Sequence, residues 1–159
     1  MWMNKQHKYK LTINWTGNRG TGTSGYSSYE RSHILSAENK AEVMMSSDPS
    51  FRGDKTKYNP EELLVASISS CHLLWYLHLC SDAKIVVIGY SDDATGLMQE
   101  TEDGGGHFTE VVLHPKVVVK SLTMIDKANE LHEKAHQLCF ISRSVKFPVR
   151  FEAECTAET

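Results

Sequence analysis

One stretch limits what this chain can fold into: Asn59 to Cys80, NPEELLVASISSCHLLWYLHLC. It carries the start signals of a helix. Asn59 can cap it and Pro60 suits the first helical position. Glu61 and Glu62 fall in the first turn, where carboxylates meet the positive end of the helix dipole. Asn59 and Glu62 stand at capping-box spacing. At about 100° per residue, Leu64, Ser67, Ile68, Cys71, Trp75 and His78 share one broad face. Leu63, Val65, Leu73, Leu74, Leu77 and Leu79 fill most of the rest, and a helix apolar nearly all round is expected to be buried. A thiol midway along such a helix reads first as a small hydrophobe.

The 159 residues suffice for a single domain, 1–159, with its own core. Net charge is −3, the lysines and arginines are scattered, and aromatics do not alternate with them, so no nucleic-acid partner is expected. No apolar run is expected to reach the roughly 18 residues of a membrane span. The longest, Leu63 to Cys80, is broken by serines and histidines. The start, MWMNKQHKYK, is basic but has no apolar signal core, which predicts a cytoplasmic protein with no membrane partner. Cys71, Cys80, Cys139 and Cys155 are too few and too spread for a disulfide scaffold. In a reducing compartment they are free, catalytic or metal-bound.

Around the helix the pattern alternates between strand and turn. Tyr9 to Trp15 reads as a strand and Tyr26 to Leu35 as a second, with Gly17, Gly20, Gly22 and Gly25 between them. That glycine segment is neither a Walker loop nor a dinucleotide fingerprint, and no cofactor is expected. Glu42 to Tyr58 reads as a polar loop with Asp48-Pro49 as its turn and Arg52, Asp54, Lys55 and Lys57 as a charged cluster. Strands follow the helix at Ala83 to Ala94 and Gly96 to Glu100, and, as a pair or one long strand, at Phe108 to Val119. Thr123 to Cys139 has helical spacing, with Ala128, Leu131, His132, Ala135, Leu138 and Cys139 on one face. Val145 to Glu154 reads as a closing strand, with Pro148 marking an edge or a bulge. The order predicts an α+β fold: two helices against antiparallel sheet.

Three constellations carry chemistry. Cys71 and Cys139 each lie on the apolar face of a helix, and two helices on one sheet can bring their sulfurs into disulfide reach. Cys80, nine positions on, points the opposite way; it and Cys155 read as structural. The segment His132 to His136, HEKAH, fits H-E-x-x-H, the zinc-protease pattern. No third ligand follows at a recognised spacing, so ordinary helix positions are the stronger reading and no metal is expected. The third set is Glu61, Arg52 and Arg19. A carboxylate can hold a guanidinium by a bidentate pair, and a guanidinium beside Cys71 would raise its thiolate fraction. The plain alternative is solvated loop charges with a dipole-facing Glu61. Glu61 and Cys71 stand ten apart, about 15 Å along a helix. They cannot easily serve one arginine within a subunit, but across a two-fold axis they can. Glu62, about 180° round from Cys71, is the poorer partner.

The string Asn59-Pro60-Glu61-Glu62-Leu63-Leu64, with Cys71 nine residues after Glu62, resembles the OsmC/Ohr family of thiol peroxidases. The later helix ending in Cys139, the glycine-punctuated segment containing Arg19, and the Phe51-Arg52-Gly53 loop fit the same family. The resemblance implies an OsmC-like α+β fold, with antiparallel sheets packed on a long central helix and a second helix. It implies an intertwined homodimer with active sites at the interface. It implies an organic hydroperoxide substrate, attacked by Cys71, which becomes a sulfenic acid that Cys139 resolves as a disulfide. A dithiol reductant, dihydrolipoyl-type in the Ohr branch, would restore the pair. Arg52, with Arg19 as second choice, would stabilise the thiolate, and Glu61 would orient that arginine. The chain departs from the family where Phe140 replaces a frequent proline and His72 follows Cys71. A second class of function on the same fold is an apolar ligand pocket lined by Leu64, Ile68 and Trp75.

Overall fold

The computed structural model describes residues 5–158, so the first four residues of the basic start and Thr159 lie outside the description. The chain divides into two compact units, Met1–Leu63 and Leu64–Thr159.

In the first unit, β1 (Thr12–Trp15), β2 (His33–Ser36) and β3 (Val43–Met45) form an antiparallel meander in that order. Trp15 pairs with His33 and His33 with Met45. The second strand starts later than the sequence predicts. Asn18 Oδ1 accepts the N–H groups of Gly20 and Gly22 at 2.8 and 3.0 Å, and Asn18 bridges to Tyr29. That local curl holds Tyr26 to Glu30 out of the sheet. The expected polar loop is more ordered than predicted: it contains β3 and a 3-10 turn, Pro49–Phe51. Asp48 caps the turn by accepting Ser50 N–H at 2.7 Å.

Helix α1 (Pro60–Asp82) begins where the sequence places it. Asn59 N–H donates to Glu62 Oε2 at 3.0 Å, and Glu62 N–H donates to Asn59 Oδ1 at 2.8 Å, a reciprocal capping box. Its buried stripe is Ile68, His72, Tyr76, Leu79 and Cys80, rotated by about one residue from the predicted face. Apolar side chains surround this helix almost evenly, so its own pattern chooses no face and packing decides. Nor is it buried all round: Leu74 and Leu77 are exposed. By length and composition α1 does qualify as a membrane-crossing helix, which corrects the expectation that no run reached that length. His72 and Tyr76 on its buried stripe are fully covered by protein.

The second unit holds two three-stranded sheets, β4-β7-β9 and β5-β6-β8. They comprise β4 (Val87–Asp92), β5 (Thr95–Glu100), β6 (Gly106–Leu113), β7 (Pro115–Val119), β8 (Val149–Phe151) and β9 (Glu154–Ala157). The β4/β7 and β5/β6 pairs are antiparallel; β6/β8 and β7/β9 are parallel. The long stretch Phe108 to Val119 is thus two strands in different sheets. Proline at 115 has no N–H for a ladder, and at the break Asp92 Oδ1 accepts His114 N–H at 2.7 Å. The single closing strand predicted over Val145 to Glu154 is also two, one for each sheet. Helix α2 (Ile125–Leu138) follows a 3-10 turn, Leu122–Met124. One core packs Tyr76, Leu79, Val117, Val119, Leu131 and Ala135 together; a second gathers Ile68, Val111, Leu113 and Val149.

Candidate active site

Helix α1 places Cys71 at the edge of its buried stripe, where the thiol is half-buried. Helix α2 stops at Leu138, and Cys139 caps it in extended backbone (φ −63°, ψ 110°) with no exposed surface. Both cysteines are free, and the Cys139 thiol is near enough to Cys71 to push its pKa up. Burial pushes the Cys71 thiol up, the amide of Ile141 pulls it down, the neighbouring Cys139 thiol pushes it up, and the amide of Phe140 pulls it down; the net effect is upward. None of these groups is cationic. The Cys139 sulfur has donors of its own: Ser142 Oγ–H at 3.1 Å and Ser142 N–H at 3.4 Å. Cys80 is buried in the first core and Cys155 sits half-buried on β9, both thiols pushed up by burial.

The charged candidates lie in the first unit. Arg19 Nε donates to Glu30 Oε1 at 3.1 Å and its Nη2 contacts the same oxygen, an ion pair that holds Glu30 below the usual carboxylate range. Arg52 ends the 3-10 turn in the left-handed region (φ 64°), its guanidinium 5.9 Å from the Tyr26 ring centre. Gly53 must follow, because a Cβ there would come within 1.6 Å of Ser47 O. Glu62 is the carboxylate spent on the helix cap, which leaves Glu61 outside it. Arg31, which the sequence did not single out, makes contacts of its own in the same unit. Its guanidinium lies 4.3 Å from the Tyr26 ring centre and 4.1 Å from that of Tyr29. Its Nη1–H donates to Tyr29 O at 2.8 Å while Nη2 is buried without a partner. Two tyrosines three apart just before an arginine were the available signal.

His132, the first histidine of HEKAH, meets a histidine of α1. His132 Nδ1 lies 3.0 Å from His72 Nε2, with the rings parallel to 2° and centres 5.3 Å apart. Those values describe two imidazoles joined edge to edge in one plane. Tyr76 stacks on His132 at 3.9 Å. Among the described residues no group of three His, Cys, Asp or Glu is placed to hold a metal ion. The proposed apolar pocket is also divided: Leu64 and Ile68 belong to one core, and Trp75 packs against the other.

A model of the OsmC-like protein family matches residues 53–154. An OsmC-like protein of unknown function from Vibrio cholerae O1 biovar eltor is 26% identical, covering 94% of this chain and 100% of that one, with a TM-score of 0.83. An organic hydroperoxide resistance protein from Elizabethkingia anophelis superposes with a TM-score of 0.67 at 23% identity, covering 97% of this chain and 100% of that one. The uncharacterized protein YmaD of Bacillus subtilis (strain 168) is 22% identical over 156 residues, 96% of this chain and 95% of that one. A family match spanning most of the chain, over the helix that carries Cys71 and the turn that carries Cys139, places this chain in the OsmC-like protein family.

Proposed function

We propose that this chain is a cysteine-based reductase of organic hydroperoxides. The observation that carries the reading is the pair of free thiols, Cys71 on α1 and Cys139 at the end of α2, near enough that the second pushes the pKa of the first up. The naming of one fold neighbour as an organic hydroperoxide resistance protein supports the same substrate class. The Cys71 thiolate attacks the outer peroxide oxygen; the O–O bond breaks, the alkoxide leaves and takes a proton to become the alcohol, and Cys71 becomes a sulfenic acid. Cys139 attacks that sulfur, the S–O bond breaks, and the leaving hydroxide takes a proton to become water. A dithiol reductant reopens the disulfide and is itself oxidised.

The thiol needs a cation to lower its pKa, and burial alone raises it. We assign that cation to Arg52 or Arg19, oriented by Glu61 across the two-fold axis of a cytoplasmic homodimer in which the whole chain acts as one domain. Helix length supports the crossing, since ten residues of helix span about 15 Å. Exposed Leu74 and Phe140, at 64% and 65%, support an interface on the second unit. Cys71→Ser is expected to abolish consumption of an alkyl hydroperoxide, and Cys139→Ser to leave a single turnover per site. Equal consumption by both variants and the parent would favour a binding protein instead.

A further inference from the structure

The turn after α2 does more than carry a cysteine. Cys139 Sγ receives two donors from one residue, the Oγ–H of Ser142 at 3.1 Å and its N–H at 3.4 Å. The turn is fixed from both sides. Arg143 N–H donates to Cys139 O at 3.1 Å, Ser144 N–H to Ile141 O at 2.9 Å, and Ser144 Oγ–H to Phe140 O at 2.7 Å. The donors are therefore held in place before any chemistry begins. The Cys139 sulfur has no exposed surface, so these two donors are the polar groups the fold itself turns toward it. Hydrogen bonds to the charged form favour that form, and they are stronger than bonds between neutral groups.

We propose that Ser142 is a catalytic residue that stabilises Cys139 as a thiolate, both when it attacks and when it leaves. The inference rests on the peroxidase reading and adds a role within it. In the closing step the Cys139 thiolate attacks the sulfenic sulfur of Cys71; the S–S bond forms, the S–O bond breaks, and hydroxide leaves to be protonated as water. In the reopening step the half-buried Cys71 sulfur is the accessible one. A thiolate of the external dithiol attacks it, the S–S bond breaks, and Cys139 departs with the electron pair. A mixed disulfide on Cys71 results, which the reductant's second thiol resolves. The departing sulfur lands on two waiting donors, and a better-stabilised thiolate leaves faster. Ser142 thus commits the reductant to Cys71 and makes Cys139 the leaving group.

The test needs no peroxide in its first arm. With Cys71, Cys80 and Cys155 replaced (Cys71→Ser, Cys80→Ala, Cys155→Ala), the remaining thiol is titrated by its ultraviolet thiolate absorbance. Ser142→Ala is expected to move the midpoint up by about one pH unit, the tenfold cost of one hydrogen bond to a charged group. Ser142→Gly, which keeps the N–H and loses the hydroxyl, serves as the second variant should alanine disturb the turn, and Ser142→Thr is expected to restore the parent midpoint. In the second arm, with all cysteines present, Ser142→Ala is expected to slow disulfide closure after peroxide about threefold, an about tenfold smaller thiolate fraction partly offset by the stronger nucleophile, and let sulfenic acid accumulate. Coincident midpoints for serine, threonine, alanine and glycine would overturn the role of Ser142. A moved midpoint in a protein that alkyl hydroperoxide leaves unoxidised would uphold the thiolate role and overturn the peroxidase reading.

Discussion

Cys71 is a thiol that its surroundings within the second unit keep protonated. Burial outweighs the two amides that face it, and Cys139 adds to the upward push. Nothing around Cys71 in that unit fully offsets the upward push, and a cation beside the thiol would. The three arginines of the first unit differ in their commitments. Arg19 is engaged by Glu30, Arg31 lies against two tyrosine rings with one buried nitrogen unpartnered, and Arg52 touches one ring at a distance. Arg52→Ala is therefore expected to raise the Cys71 titration midpoint by about one pH unit or more, slowing peroxide attack at neutral pH in proportion. The same titration on Arg19→Ala and Arg31→Ala ranks the three. Three parent-like midpoints would remove arginine from the site.

Between the two helices lies the pair His72 and His132. Each ring is fully covered, and burial holds His72 at about 4 and His132 at about 3, both below the ordinary histidine value of 6.5. One N–H fills the 3.0 Å link, while His72 Nδ1 and His132 Nε2 remain buried without partners. His136 also disfavours a charge on His72, and Asp92 favours one. The unfolded chain takes up protons below about pH 6.5 and the folded pair does not. The pair's contribution to stability is thus whole above that pH and is lost as pH falls toward the folded values. The denaturant midpoint is expected to fall between pH 6.5 and 4, and the double variant His72→Leu/His132→Leu to flatten the decline. A decline equally steep in the double variant would place the acid sensitivity elsewhere. The sequence showed both histidines on helices and His132 on an apolar face, but it could not show that their ring edges meet sixty residues apart in the chain. The capping box at Asn59 and Glu62 was legible because it is local. The buried face of α1 was not, because its apolar residues surround it and only contact selects among them. The same reason left open whether Phe108 to Val119 was one strand or a pair and split the closing strand into β8 and β9: each piece joins a different sheet, a choice made by long-range pairing. Ser142 escaped notice because a hydroxyl three residues after a cysteine carries no periodic signal.

At the scale of the whole molecule, apolar surface remains to be covered. On the first unit Leu11 and Ile13 are more than half exposed, and on the second Leu74, Leu97 and Phe140 are too. The proposed symmetric dimer would cover part of this exposed apolar surface. In the proposed dimer a guanidinium reaches each Cys71, and the disulfide closes inside one chain. The direct measurement is the mass of the intact protein, followed by peptide mapping, after one equivalent of an alkyl hydroperoxide with no reductant present. The expected result is a loss of two hydrogens from each single chain and one bridged peptide pair holding Cys71 and Cys139. An unchanged mass, stable oxidation at Cys71 with Cys139 still a free thiol, or a bridge through Cys80 or Cys155 would contradict it.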